Sequence, residues 1–216
     1  KPVDMSRGNG KILYGVNNRG NKLDYAWRTM GGPFSNNNPL AAADFGDALL
    51  LRLGYTFVDA GWQGNVAPGN DRLRPSLPIA TQPNGRSIVA RIRVEYADAE
   101  GFTLPLEGSA NFRAYETSDT DTTHALLTMR STVGEPRTPV APTAWAFGRC
   151  ETGKAALVAT TTDICLFDGF KRDRIYELSY PAKNPLVMGL GYVVTRDIAS
   201  FLRYQTRDEA DNPNPL

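Results

Sequence analysis

The sequence predicts an α/β fold: a short parallel core carrying a β-rich insertion. Three observations predict it. Lys11–Val16 and Tyr55–Val58 are apolar strand-like runs separated by a loop and a helix-like segment, an order that implies a parallel pair. From about Asn65 the helical period disappears and short strand-like runs follow one another. A helical period returns over Val194, Ile198, Phe201 and Leu202.

Taken in order, Lys11–Val16 is bounded by Gly10 and Asn17-Asn18 and reads as a buried strand. Asn17–Asn21 is a loop of residues that tolerate positive φ. A polar connection follows through Gly31-Gly32-Pro33 and Asn36–Pro39. Asp44 is placed as a helix N-cap, with Phe45, Ala48, Leu49 and Leu53 at helical spacing and Gly54 as the C′ residue. Tyr55–Val58 is the second strand, and Asp59–Gly64 is the loop at its carboxyl end, where open α/β sheets bind ligands. The insertion holds six strand candidates: 87–96, 110–115, 124–130, 143–147, 162–166 and 174–180. In the first, Ile88, Ala90, Ile92 and Val94 alternate with Val89, Arg91, Arg93 and Glu95, the pattern of a half-buried strand. A small sandwich or a flap on the core is expected there. The last helix ends near Tyr204, and 208–216 reads as a frayed tail or linker. The expected division is 1–64 core, 65–180 insertion or lid, and 181–216 core helix and tail.

Composition limits the function classes. The 216 residues are 41% hydrophobic and 22% charged, with a formal net charge of +1. Basic residues are interspersed with acidic ones, so no nucleic-acid stripe or polybasic patch is expected. No apolar run approaches the roughly 20 residues of a membrane span. Lys1–Asp4 shows neither a start methionine nor a signal peptide, so a mature or trimmed chain is expected.

Cys150 and Cys165 flank a turn-rich stretch, and a hairpin would bring them within disulfide reach. Two buried free thiols are the alternative; the even count and the loop favour a bridge and an exported protein. No Cys/His spacing suits zinc. Asp98, Asp119 and Asp121 lack the glycine and distal glutamate of a calcium loop, so a solvated loop is expected and no metal or cofactor is assigned. Gly85-Arg86-Ser87 opens a strand and lacks the second glycine of a nucleophile elbow. His124, the single histidine, reads as a surface residue at a strand start.

Three blocks carry a family resemblance. They are Leu13–Lys22, Gly54–Gly64, and Ile175–Tyr180 continuing through Asn184–Tyr192 and Arg196–Arg203. Together they resemble the "alpha/beta hydrolase domain" family of exported, esterase-like bacterial proteins. The resemblance implies a partial α/β-hydrolase core and a serine hydrolase acting on carboxylic esters. It also implies that the G-x-S-x-G elbow follows the last helix, with the acid and histidine later still. None of these lies before Leu216, so a fragment or one of two polypeptides is expected, inactive alone and needing a complementary segment or self-association.

Under that resemblance, Asn17, Asn18, Arg19 and Gly20 occupy the oxyanion-side loop. Trp62 and Gln63 wall the ester pocket. Arg196 and Asp197 support the elbow. Without it, these are an Asn-Gly turn, a packing tryptophan and separate helix-surface charges. The competing function is a non-catalytic β-rich module that binds a ligand or a carbohydrate, with Tyr96, Phe102, Phe112 and Tyr115 as an aromatic platform or, equally, as core.

Overall fold

The structure, a computed structural model, describes residues 5–22, 36–109 and 111–214. The expected Gly31-Gly32-Pro33 loop, Lys1–Asp4, Ala110 and the last two residues lie outside that set. The chain divides into two units, residues 1–77 with 187–216, and residues 78–186.

The first unit is built on β1 (Ile12–Asn17) and β2 (Thr56–Gly61), which pair in parallel with Ile12 opposite Thr56 and Asn17 opposite Gly61. The helix expected from Asp44 to Leu53 is broken. A 3-10 turn occupies Ala42–Asp44, and helix α1 is one turn, Leu49–Arg52. The physical reason is backbone handedness: Gly46 (φ 63°) and Ala48 (φ 50°) both lie in the left-handed region, which a right-handed helix cannot contain. The Asp44 carboxylate is turned backwards, accepting from the Leu40 and Ala41 N–H groups. Gly54 does end the helix, at φ 84°, its N–H donating to the Leu51 carbonyl. Helix α2 (Leu190–Tyr204) stops at Tyr204 and buries Gly191 and Leu202.

Among the described residues the second unit holds seven strands, all paired antiparallel: β3 (Val89–Tyr96), β4 (Gly101–Pro105), β5 (Leu126–Arg130), β6 (Thr138–Pro139), β7 (Trp145–Arg149), β8 (Val158–Phe170) and β9 (Ile175–Lys183). They form one sheet in the order β3-β9-β5-β6 and another in the order β4-β8-β7. One core joins them. Tyr176, Leu178, Tyr180 and Ala182 point inward from β9, meeting Trp145 and Phe147 of β7 and Ile164, Leu166 and Phe170 of β8. Alternation in β9 is complete, with Glu177 and Ser179 on the other face. Each fully buried Leu or Ile contributes ~1.5–3 kcal/mol. The buried phenols are satisfied: Tyr96 donates to the Pro105 carbonyl (3.0 Å) and Tyr180 to the Tyr115 carbonyl (2.8 Å).

This overturns the expected fold class. The protein is mainly β, two of its sheets are antiparallel, and among the described residues its helices are two. A partial α/β-hydrolase core needs a parallel sheet layered with helices. Among the described residues parallel pairing stops at β1 and β2, because the period-2 patterning of the following hundred residues builds antiparallel ladders. Residues 111–115, expected as part of a strand, form none.

The bridge between Cys150 and Cys165 is present, with Cα atoms 5.7 Å apart and both cysteines buried. No described helix is long and apolar enough to cross a membrane.

Candidate functional site

A parallel pair sets the carboxyl ends of both strands at one edge, and the loops leaving them meet there. Asn17 ends β1 and is buried; its Nδ2 donates to Asp59 Oδ1 at 3.1 Å. The approach is possible because position 15 has no side chain: a Cβ on Gly15 would stand 2.4 Å from that oxygen. Lys22 Nζ lies 3.9 Å from the other Asp59 oxygen, both side chains being largely buried. The following 3-10 turn, Asn18–Gly20, carries Arg19 in the left-handed region (φ 55°). That conformation aims the Arg19 N–H at Gln63 Oε1, 2.8 Å away in the loop after β2.

Asn17, Arg19 and Gln63 are therefore gathered at the carboxyl ends of the strand pair. The Asn18 side chain lies outside the described set. Gly20 has a different role from the one expected. Its Cβ would meet the Leu73 carbonyl oxygen at 2.6 Å, and a Cβ on Gly61 would meet the same oxygen at 2.2 Å. The Leu73 N–H also donates to the Gly20 carbonyl at 2.8 Å. The close approach that Gly20 permits is thus filled by the chain's own backbone.

Trp62 stacks on Tyr192 of α2, with ring centroids 5.1 Å apart and planes tilted by 31°. Gly191 makes this packing possible, since its Cβ would lie 2.0 Å from the Trp62 carbonyl oxygen. Arg196 and Asp197 do not reach the cluster's polar groups. They pair with each other at 2.7 Å in solvent, an arrangement worth ~0–1 kcal/mol. Sequence reasoning missed Asp59 as an anchor, Lys22 as its cation and Tyr192 as the second ring. The alternation of β2 carried no sign that Asp59 meets Asn17: the register sets Asp59 opposite Gly15, and the Asn17 side chain reaches it from two residues on.

The arrangement presents a backbone N–H held by an amide oxygen, beside an aromatic wall. Among the described residues it contains no nucleophile with a base. His124 lies in the other unit, and among the described residues no three His, Cys, Asp or Glu side chains group as a metal site. Comparison with family models, with curated proteins and with solved structures finds no match.

Gly191→Ala tests how tightly α2 is seated. Alanine favours the helix by ~1 kcal/mol. The clash is with backbone that has no rotamer to escape into, and overpacking costs ~1–3 kcal/mol. The clash is therefore expected to win, lowering hydrogen-exchange protection of the α2 amides. Unchanged protection would show that α2 is not packed on the Trp62 peptide.

Proposed function

We propose that this chain is the non-nucleophilic part of an esterase-like serine hydrolase, as the resemblance of its first and last blocks implies. It supplies the oxyanion-side turn and part of the pocket wall, and the Ser–His–acid triad comes from polypeptide outside this sequence. The observation that carries the reading is the Arg19 N–H bound to Gln63 Oε1 at the carboxyl ends of a parallel strand pair. There an amide oxygen occupies a donor that a developing oxyanion uses in acyl transfer. Trp62 and Tyr192 form the apolar side. The role attaches to this loop cluster and not to a hydrolase core within the chain.

Two further parts of the reading have their own support. β1 and β2 each pair with one strand among the described residues, and their side chains are mostly half-exposed. Parallel sheets are normally covered on both faces, so a complementary segment or self-association completes this one. The Cys150–Cys165 bridge supports a periplasmic or secreted location. The carbohydrate-platform reading has less support: Tyr96 is buried, and Phe102, Phe112 and Tyr115 are half-buried, so these rings present no exposed strip.

The test has two arms. The 216-residue chain alone is expected to show no turnover of p-nitrophenyl acetate that a serine-directed phosphonate abolishes; such turnover, or phosphonate labelling of this chain, overturns the proposal. Native mass measurement on the source protein is expected to show this sequence joined to polypeptide carrying G-x-S-x-G. In that assembly Trp62→Ala is expected to raise KM with kcat held, the signature of lost uniform binding. A source protein consisting of this chain alone, unpartnered, removes the enzyme reading.

A further inference from the structure

The 78–186 unit carries a second cluster that the loop site does not use. An open depression of about 630 Å³ is lined by Arg91, Ser118, Asp119, Thr123 and His124, with Leu126 at its side. Its groups are held by a local network. Asp119 Oδ2 accepts from His124 Nδ1 at 2.5 Å, and Asp119 Oδ1 accepts from the Asp121 N–H at 2.9 Å. Asp121 Oδ1 accepts both the N–H and the hydroxyl of Thr123, at 2.9 and 2.7 Å. The carboxylates are thus turned onto their own loop. With Nδ1 committed to Asp119, Nε2 is the imidazole nitrogen left for an incoming group; it has no hydrogen-bond partner among the described residues.

Arg91 supplies the second half. On the outward face of its sheet Arg93 and Arg137 pair with Glu177, and Arg130 with Glu95. Arg91 has no carboxylate at ion-pair distance among the described residues. It is instead fixed by carbonyls, Nη2 donating to His124 O (2.8 Å) and Nη1 to Ser179 O (3.3 Å). A guanidinium has five N–H donors, so donors remain for a ligand. The result is a positioned cation, tied to the His124 backbone, beside an imidazole whose Nδ1–H is already engaged by Asp119.

We propose that this depression binds small carboxylate anions, one oxygen on the Arg91 guanidinium and one on the protonated Nε2 of His124. The inference stands apart from the esterase reading. Recognition is by two charge-assisted hydrogen bonds. The charged groups facing His124 are Asp119, Asp121 and Arg91. The Pro142–Ala144 turn packed against its loop brings none, and Arg149 of the neighbouring β7 pairs with Asp163. The hydrogen bond to Asp119, then the charges of Asp119 and Asp121, raise the His124 pKa above its ordinary value against the opposing Arg91. The imidazolium therefore persists to higher pH than that of an unperturbed histidine. Binding holds below the His124 midpoint and weakens as pH rises through it.

His124 is the chain's single histidine, so its Cε1–H proton resonance is unambiguous. Sodium acetate is titrated against sodium chloride at equal ionic strength, below and above the His124 midpoint. Acetate is expected to give a saturable shift and to raise the midpoint, with affinity roughly tenfold or more weaker above it, as the loss of one charge-assisted bond requires. Arg91→Gln is expected to abolish the saturable shift and Arg93→Gln to keep it. Equal responses to acetate and chloride, or saturation retained in Arg91→Gln, overturn the proposal. If Arg91→Gln disrupts the sheet, the unaltered protein decides: acetate affinity that does not fall across the His124 midpoint overturns it.

Discussion

Trp145→Ala is expected to remove ~3–5 kcal/mol from the 78–186 unit, the cost of an uncollapsed aromatic cavity. Trp145 begins β7, is 2% exposed and stands opposite Leu166 of β8. Its ring meets Phe147 edge-on at 5.2 Å, and Phe147 in turn meets Tyr180 of β9 at 6.0 Å. The indole is therefore the end of an aromatic chain running from one sheet to the other. Domains are stable by only ~5–15 kcal/mol, so this loss is a large share of the total. Trp145→Phe separates the contributions. The indole Nε1 is buried with no hydrogen-bond partner among the described residues, and an unpaired buried donor costs ~1–3 kcal/mol. Phenylalanine removes that donor while refilling most of the space, so its penalty is expected to be much smaller than alanine's. Hydrogen exchange of the β9 amides is the measurement, since with two units a single unfolding free energy for the whole chain is ill-defined. Alanine and phenylalanine variants of equal protection would mean that the cavity is not what the core resists.

The parts that were legible in the sequence are those fixed by local pattern. Tyr176, Leu178 and Tyr180 alternate with Glu177 and Ser179, and that alternation is the face assignment of β9. The α2 period ends where the helix ends. The sequence predicts a strand over 162–166, whereas β8 spans Val158–Phe170. Thr160 and Thr162 are recruited by the buried Asp163, whose Oδ2 accepts both hydroxyls and the Arg149 guanidinium. β4 was missed because five residues bounded by Gly101 and Pro105 read as a loop.

The fold class failed for a related reason. One strand–helix–strand order establishes that two strands run parallel and says nothing about how far the sheet extends. The candidate site was half legible by the same logic. Strand direction put Asn17, Arg19, Trp62 and Gln63 at one edge, whereas Lys22, Asp59 and Tyr192 joined them through register and tertiary packing. At the second cluster the signal was short-range: Asp119 and His124 lie five residues apart around a 3-10 turn capped by Asp121, a spacing that lets carboxylate and imidazole meet.

Replacing Cys150 and Cys165 together by alanine is expected to cost ~3 kcal/mol, the loop-closure value for a separation of 15 residues. The fold itself is expected to survive. The bridge joins chain that other bonds already hold: the Cys150 N–H donates to Thr103 Oγ1 at 2.7 Å, that hydroxyl donates back to the Cys150 carbonyl at 2.8 Å, and β7 pairs with β8 through Ala146 opposite Cys165. What the bridge restrains is the unfolded chain between the two cysteines. Serine in place of alanine discriminates this account from one based on native packing. Cys150 and Cys165 are 2% and 0% exposed, so two hydroxyls would enter a site with little water, at ~1–3 kcal/mol for each left unpaired. The expected order of hydrogen-exchange protection of the β7 and β8 amides is therefore native, then the double alanine variant, then the double serine variant, with the reduced native protein close to the alanine variant. A double alanine variant as stable as the native protein would place the stabilisation of the β4-β8-β7 sheet in its ladder alone. The bridge would then be incidental to stability, and the support it lends to an oxidising compartment would rest on chemistry without a structural need for it.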